Sequence, residues 1–212
     1  MKPNLPNSIT TFRVVMTPIV VILLFQNSMT ARLLAFVFFV IAALSDLWDG
    51  YLARSRNQIT TFGKLVDPVA DKLLLVATLI PLYLLTLRDP HLGGLPVYDG
   101  IPLWVVILLL GREVAITALR TIAARRGHII PAGASGKRKA LMQNIFIGSM
   151  ILWVAFQTGA QQMAWDGPLW QFWVWLNGWF SAVTLSIALG LTVYSMAEYL
   201  LSFRRILADK PA

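Results

Sequence analysis

The chain has 212 residues, 57% of them hydrophobic and 13% charged, with a formal net charge of +8 and a mean hydropathy of +0.67. A soluble domain carries about 25% charged residues, so this composition excludes a freely dissolved globular protein and implies one that resides in a membrane. The absence of cysteine excludes disulfide and thiolate chemistry, and the two histidines, His91 and His128, are too few for a histidine-built metal site.

A helix needs about 20 mostly apolar residues to cross the hydrocarbon core. Six stretches meet that need, at roughly 11–26, 31–48, 63–87, 101–123, 140–158 and 172–202. None shows an alternating pattern, and unpaired strand edges cannot face lipid. The expected fold is therefore all-α: an integral membrane bundle of six transmembrane helices forming a single domain over residues 1–212. The leading MKPNLPNSITTFR lacks the design of a signal peptide, so the first apolar stretch is expected to be retained. Four links join the helices: a polar one at 50–62, a Pro/Gly-rich one at 88–100, a basic one at 124–139 and a last one at 159–171.

Charge orients the bundle. Six spans put the N-terminus, the 50–62 and 124–139 links and the C-terminal tail on one side. That side carries Lys2, Arg13, Arg54, Arg56, Arg125, Arg126, Lys137, Arg138, Lys139, Arg204, Arg205 and Lys210, whereas the other carries only Arg32 and Arg88. Lys/Arg-rich loops face the cytoplasm, so both termini are expected inside, in a bacterial cytoplasmic membrane. The net positive charge reads as this bias plus contact with anionic membrane lipids, with no nucleic acid implied. Trp165, Trp170, Trp173, Trp175 and Trp179 read as an aromatic belt at one membrane interface.

Four of the ten acidic residues fall between Ser45 and Lys72. Asp46 and Asp49 are three apart at the cytoplasmic end of the second span. Asp67 and Asp71 are four apart at the start of the third. On a helix both spacings place the pair on one face, and the intervening link lets the pairs face each other. Close carboxylates resist joint ionisation unless something neutralises them. Hard oxygen ligands without His or Cys suit Mg²⁺ or Mn²⁺, and two such ions can serve phosphoryl chemistry. Gly50, Ala53 and Gly63 are small enough for close ligand approach. Arg54 offers a planar fork for phosphate, and Arg112, Arg120, Lys137, Arg138 and Lys139 on the same side could hold a second anion. Helix caps, structural salt bridges and a cation or proton path through a transporter remain open as rival readings. The third span after Lys72 reads LLLVATLIPLYLLTL, without a further acid to continue such a path.

The pattern Asp46-x₂-Asp49-Gly50-x₂-Ala53-Arg54-x₈-Gly63-x₃-Asp67-x₃-Asp71 resembles the signature of the CDP-alcohol phosphotransferases at all eight specified positions. The lead-in NLPNSITTFRVVMTP, with Asn7, Thr10 and Arg13, is similar to that family's. Asp67-Pro-Val-Ala-Asp71-Lys72, Gly111-Arg112-Glu113, Arg120 and Gly136-Lys137-x-Lys139 look like the branch that makes phosphatidylglycerophosphate. Ala134, Ser135 and Ala140 depart from the usual residues around that last motif.

The resemblance implies a six-helix membrane enzyme, expected to be a homodimer, that transfers a phosphatidyl group from CDP-diacylglycerol to glycerol 3-phosphate and releases CMP. It implies that Asp46, Asp49, Asp67 and Asp71 hold two Mg²⁺ ions (Mn²⁺ as an alternative), with Asp71 also the general base. Asn7, Thr10, Gly50, Ala53, Arg54 and Gly63 would form the CDP site. Arg112, Arg120, Lys137 and Lys139 would grip the acceptor phosphate. Inositol phosphate, serine or phosphatidylglycerol are the alternative acceptors within the family.

Overall fold

A computed structural model describes the backbone of residues 5–56, 61–125 and 134–208, and the side chains of residues 11–45, 72–125 and 135–204. Six α-helices follow one another: α1 Leu5–Phe25, α2 Met29–Arg56, α3 Thr61–Arg88, α4 Leu103–Arg125, α5 Ala134–Met163 and α6 Pro168–Ala208. A single 3-10 turn, Pro90–Leu92, follows α3, and no strand occurs among the described residues.

Each expected apolar stretch lies on one helix to within two residues, and every helix runs past its stretch at one end or both. Hydropathy detects only the part a lipid would touch, whereas a helix continues while its residues satisfy backbone hydrogen bonds with neighbours one turn away. α2 reaches Arg56 and α3 resumes at Thr61, so most of the expected 50–62 link is helical. α5 starts at Ala134, which places Lys137 and Lys139 on its first turns and not in a loop. Ala, Lys and Arg are good helix formers, so the run AxGKRKA extends the helix despite its charge.

Among successive helices, α1 and α2, α3 and α4, and α5 and α6 pack as antiparallel neighbours. α1 packs on both α2 and α3, α2 also packs on α5, α5 on α6, and α4 on α6. The shared interior holds Val20, Leu24, Phe39, Leu79, Leu82, Leu109, Phe146, Ile147, Met150, Ile151, Trp153 and Leu185. At one end of the bundle, Arg32 at the start of α2 is buried and donates from Nε to the carbonyl of Leu24 (3.2 Å) and from Nη1 to the hydroxyl of Thr158 on α5. Trp153 Nε1 donates to the carbonyls of Leu92 and Gly93 at 3.0 and 3.2 Å. Stacked rings Trp153, Trp173 and Trp170 continue this end outward, and Phe156 and Trp165 lean on them. The expected aromatic belt is thus partly internal: Trp173 stacks on Trp153 of α5 and ties the two helices, while Trp175 and Trp179 are exposed.

The outer surface is strongly apolar. Ile22, Leu87, Ile107, Val114, Leu169, Phe172, Trp175 and Val183 are each more than half exposed, which suits a lipid solvent. Among the described residues, Ser135–Met163 and Pro168–Arg204 are long and apolar enough to cross a membrane, and the apolar stretches Thr11–Phe25 and Met29–Ser45 are shorter. These surfaces and helices are those of a membrane protein.

α6 approaches the α3–α4 connection at Gly178. A Cβ there would lie 2.8 Å from Cδ and 3.1 Å from Cγ of Pro96, whose ring cannot swing away. Gly178→Ala is expected to destabilise the bundle by about 1–3 kcal/mol through overpacking. The check is a lowered thermal unfolding midpoint in detergent, with substrate affinities unchanged because the contact lies at the far end from the charged residues described next.

Candidate functional site

The opposite end of the bundle gathers the N-termini of α1, α3 and α5 and the C-terminal portions of α2, α4 and α6. Contacts among the last four helices fix this arrangement. Lys72 on α3 donates to the hydroxyl of Thr117 on α4, and Thr117 in turn donates to the carbonyl of Glu113 at 2.6 Å. Ser135 on α5 donates to Glu198 Oε2 on α6 at 2.5 Å.

Between these helices lies a cluster of cations. Arg112 is 8% exposed and Lys139 2%, so both carry their charge out of water, which demands a partner. Glu113 supplies it to both. Arg112 Nη1 donates to Glu113 Oε1 at 2.8 Å, and Lys139 Nζ pairs with the same oxygen. α4 and α5 are thereby joined by one carboxylate.

α6 contributes the other wall. Arg112 Nη2 donates to Ser195 Oγ at 3.1 Å, and Arg120 Nη2 donates to the hydroxyl of Tyr199. The Tyr199 ring lies 5.9 Å from the Arg112 guanidinium carbon and 5.1 Å from that of Arg120, both within cation–π range. Arg112 and Arg120 are eight residues apart on α4, two turns on one face, and both meet Tyr199.

The guanidinium donors are incompletely used. A guanidinium has five N–H donors, and the buried Nε atoms of Arg112 and Arg120 have no hydrogen-bond partner among the described residues. Unused guanidinium donors of this kind suit an anion with several acceptor oxygens. The first turn of α5 adds the positive end of a helix dipole, with Gly136 so close to Arg112 that a Cβ there would lie 3.8 Å from Nη2.

Arg112, Arg120 and Lys139 therefore meet at one place. Lys137 does not join them: it is exposed, two residues from buried Lys139 and so on the other side of α5. Backbone placement puts Asp46, Asp49, Gly50, Ala53 and Arg54 on α2, Gly63, Asp67 and Asp71 on α3, and Asn7 and Thr10 on α1. Their side-chain arrangement lies outside the described residues. Lys72, next to Asp71 in sequence, is the link to the cation cluster through Thr117. Two grooves of about 360 and 470 Å³ lie instead among the tryptophans at the far end, away from every charged candidate.

Sequence reasoning quoted Glu113 inside a motif and gave it no role, and it passed over Ser195, Glu198 and Tyr199. The available signal was their spacing, i, i+3 and i+4 on an otherwise apolar helix, which aligns three polar groups on one face.

A family model described as CDP-alcohol phosphatidyltransferase matches residues 3–193. The chain belongs to this family. A protein of Mycobacterium tuberculosis named "Probable phosphatidylglycerophosphate synthase" is 38% identical over 152 residues, 70% of this chain and 66% of that one. The match thus spans slightly less than two thirds of that relative's length. A protein of Bacillus subtilis named "CDP-diacylglycerol--glycerol-3-phosphate 3-phosphatidyltransferase" is 35% identical over 161 residues, 70% of this chain and 77% of its own. One of Pseudomonas fluorescens with the same name is 33% identical over 205 residues, 93% and 88% of the two chains.

Glu113 is the structural test of the cluster. Glu113→Ala leaves Arg112 and Lys139 buried without their shared carboxylate and is expected to cost about 3–5 kcal/mol. Thermal unfolding in detergent measures this, and adding Lys139→Met to the same chain is expected to restore part of the loss, because one of the two buried charges that shared Glu113 is then gone.

Proposed function

We propose that this protein transfers the phosphatidyl group of CDP-diacylglycerol to glycerol 3-phosphate, giving phosphatidylglycerophosphate and CMP. The observation that carries the acceptor assignment is the buried Arg112–Arg120–Lys139 cluster with its spare guanidinium donors. An acceptor without a phosphate, such as serine, would bring those cations one carboxylate in place of a dianionic group with several acceptor oxygens. The names of the relatives support the same acceptor.

The six helices each span the bilayer, with both termini and the charged end at the cytoplasmic face of a bacterial inner membrane. The protein works as a homodimer. Asp46, Asp49, Asp67 and Asp71 hold two divalent ions. Four carboxylates on two adjoining helix ends, with no His or Cys, are a donor set that fits Mg²⁺, with Mn²⁺ next. When bound, the ions neutralise charge on the diphosphate and acidify the acceptor hydroxyl.

The chain's own residues do the rest. Arg54 forks onto a donor phosphate, while Asn7 and Thr10 support the nucleotide and Gly50, Ala53 and Gly63 leave it room. Arg112, Arg120 and Lys139 hold the acceptor phosphate, and exposed Lys137 guides it in from water. This anchors the acceptor hydroxyl beside the start of α3, where Asp71 takes its proton. The hydroxyl oxygen forms a bond to the phosphatidyl phosphorus, the bond from that phosphorus to the CMP oxygen breaks, and CMP leaves.

Purified protein in lipid nanodiscs with Mg²⁺ is expected to release CMP only when both CDP-diacylglycerol and glycerol 3-phosphate are present. Asp67→Ala and Asp71→Ala should each lower turnover at least about a hundredfold at near-normal expression. Turnover with inositol phosphate, serine or phosphatidylglycerol in place of glycerol 3-phosphate would reassign the acceptor, and near-normal turnover in either aspartate variant would overturn the site.

A further inference from the structure

We infer that Tyr199 on α6 is a positioning residue for the acceptor phosphate, setting the two arginines that grip it. The inference rests on the acceptor reading above and adds to it a helix that carries none of the family's signature positions.

The geometry is specific to Tyr199. Its side chain is 5% exposed, and its ring lies within 6 Å of the guanidinium carbons of both Arg112 and Arg120. Its hydroxyl accepts from Arg120 Nη2. One turn earlier on the same face, Ser195 accepts from Arg112 Nη2. Next to Tyr199, Glu198 accepts from Ser135 at the start of α5. α6 thus fixes the orientation of both guanidinium planes and holds the α5 N-terminus against them.

Orientation matters because arginine binds phosphate through a planar fork. Two long side chains on one helix face would otherwise sample many rotamers and repel each other. A ring beside both guanidiniums offers each an attractive quadrupole and narrows their range. With Nη2 of each arginine committed to α6, the unused Nε atoms are left for the incoming anion. Tyr199 does not need to touch substrate to do this. It acts through Arg112 and Arg120, so its effect belongs in acceptor affinity and not in the chemical step.

The test is steady-state kinetics of CMP release in nanodiscs, with glycerol 3-phosphate and CDP-diacylglycerol varied separately, for Tyr199→Leu, Tyr199→Phe and Arg112→Ala. Tyr199→Leu should raise the KM for glycerol 3-phosphate about tenfold, with kcat and the KM for CDP-diacylglycerol within about twofold of the parent. Tyr199→Phe keeps the ring and loses the hydroxyl, and should recover most of the affinity. It also carries the test if the leucine variant does not fold. A parallel fall in kcat and rise in both KM values, with no recovery in phenylalanine, would mean a packing role only and overturn the inference. So would an unchanged acceptor KM in Tyr199→Leu while Arg112→Ala raises it. An unchanged acceptor KM in Arg112→Ala would instead remove the acceptor reading itself, and the inference with it.

Discussion

Everything at the charged end depends on one carboxylate shared by two buried cations. Arg112 and Lys139 are carried by different helices into surroundings that cannot solvate them, and Glu113 meets both through a single oxygen. A buried ion pair adds little net stability over a well-packed apolar alternative, but breaking one is expensive. Its value here is geometric. It fixes the register of α5 against α4, and so places the α5 N-terminus beside Arg112. Glu113 also under-neutralises its neighbours: Arg120 and the spare donors of Arg112 remain available. A site that was fully paired internally would have nothing left for an anion.

Much of the fold was legible because lipid imposes a simple rule. Backbone groups must be satisfied within each segment, so apolar runs of helical length can be read directly as helices, and all six expected stretches are helical. The ends were less legible. α2 continues to Arg56 and α5 begins at Ala134, in residues whose charge suggested links. Charge marks where a helix leaves the apolar region, whereas the helix itself stops only where backbone geometry or capping stops it. The tryptophans show the same limit. Their composition pointed to an interfacial belt, yet Trp153 and Trp173 stack between α5 and α6, which depends on partners far apart in sequence.

The candidate site divides in the same way. Arg112 and Arg120 share a face of α4 by spacing, so their joint use could be read from the chain. That Lys139 joins them while Lys137 points outward follows from α5 being helical from Ala134 onward, which a basic link would not have required. Ser195 and Tyr199 lie more than a hundred residues beyond the signature that ends at Asp71 and about eighty from Arg112 and Arg120. No local pattern announces such a contact. Only the antiparallel return of α6 brings it about, and α6 is the longest and one of the most uniformly apolar helices in the chain.

The proposed function asks one protein to serve a lipid donor and a water-soluble acceptor, and the bundle offers a surface for each. Its outward apolar faces would keep a diacyl chain in the same solvent as the helices. Its polar groups concentrate at one end, where α3 and α4 are joined by Lys72 and Thr117. In the proposed function, the start of α3 would serve a metal-bound diphosphate and the Arg112–Arg120–Lys139 cluster a bare phosphate. Placed mid-membrane, either group would face a much larger desolvation cost. Placed on a loop, neither would hold its geometry closely enough to align a hydroxyl with a phosphorus. Helix ends at the membrane edge satisfy both constraints.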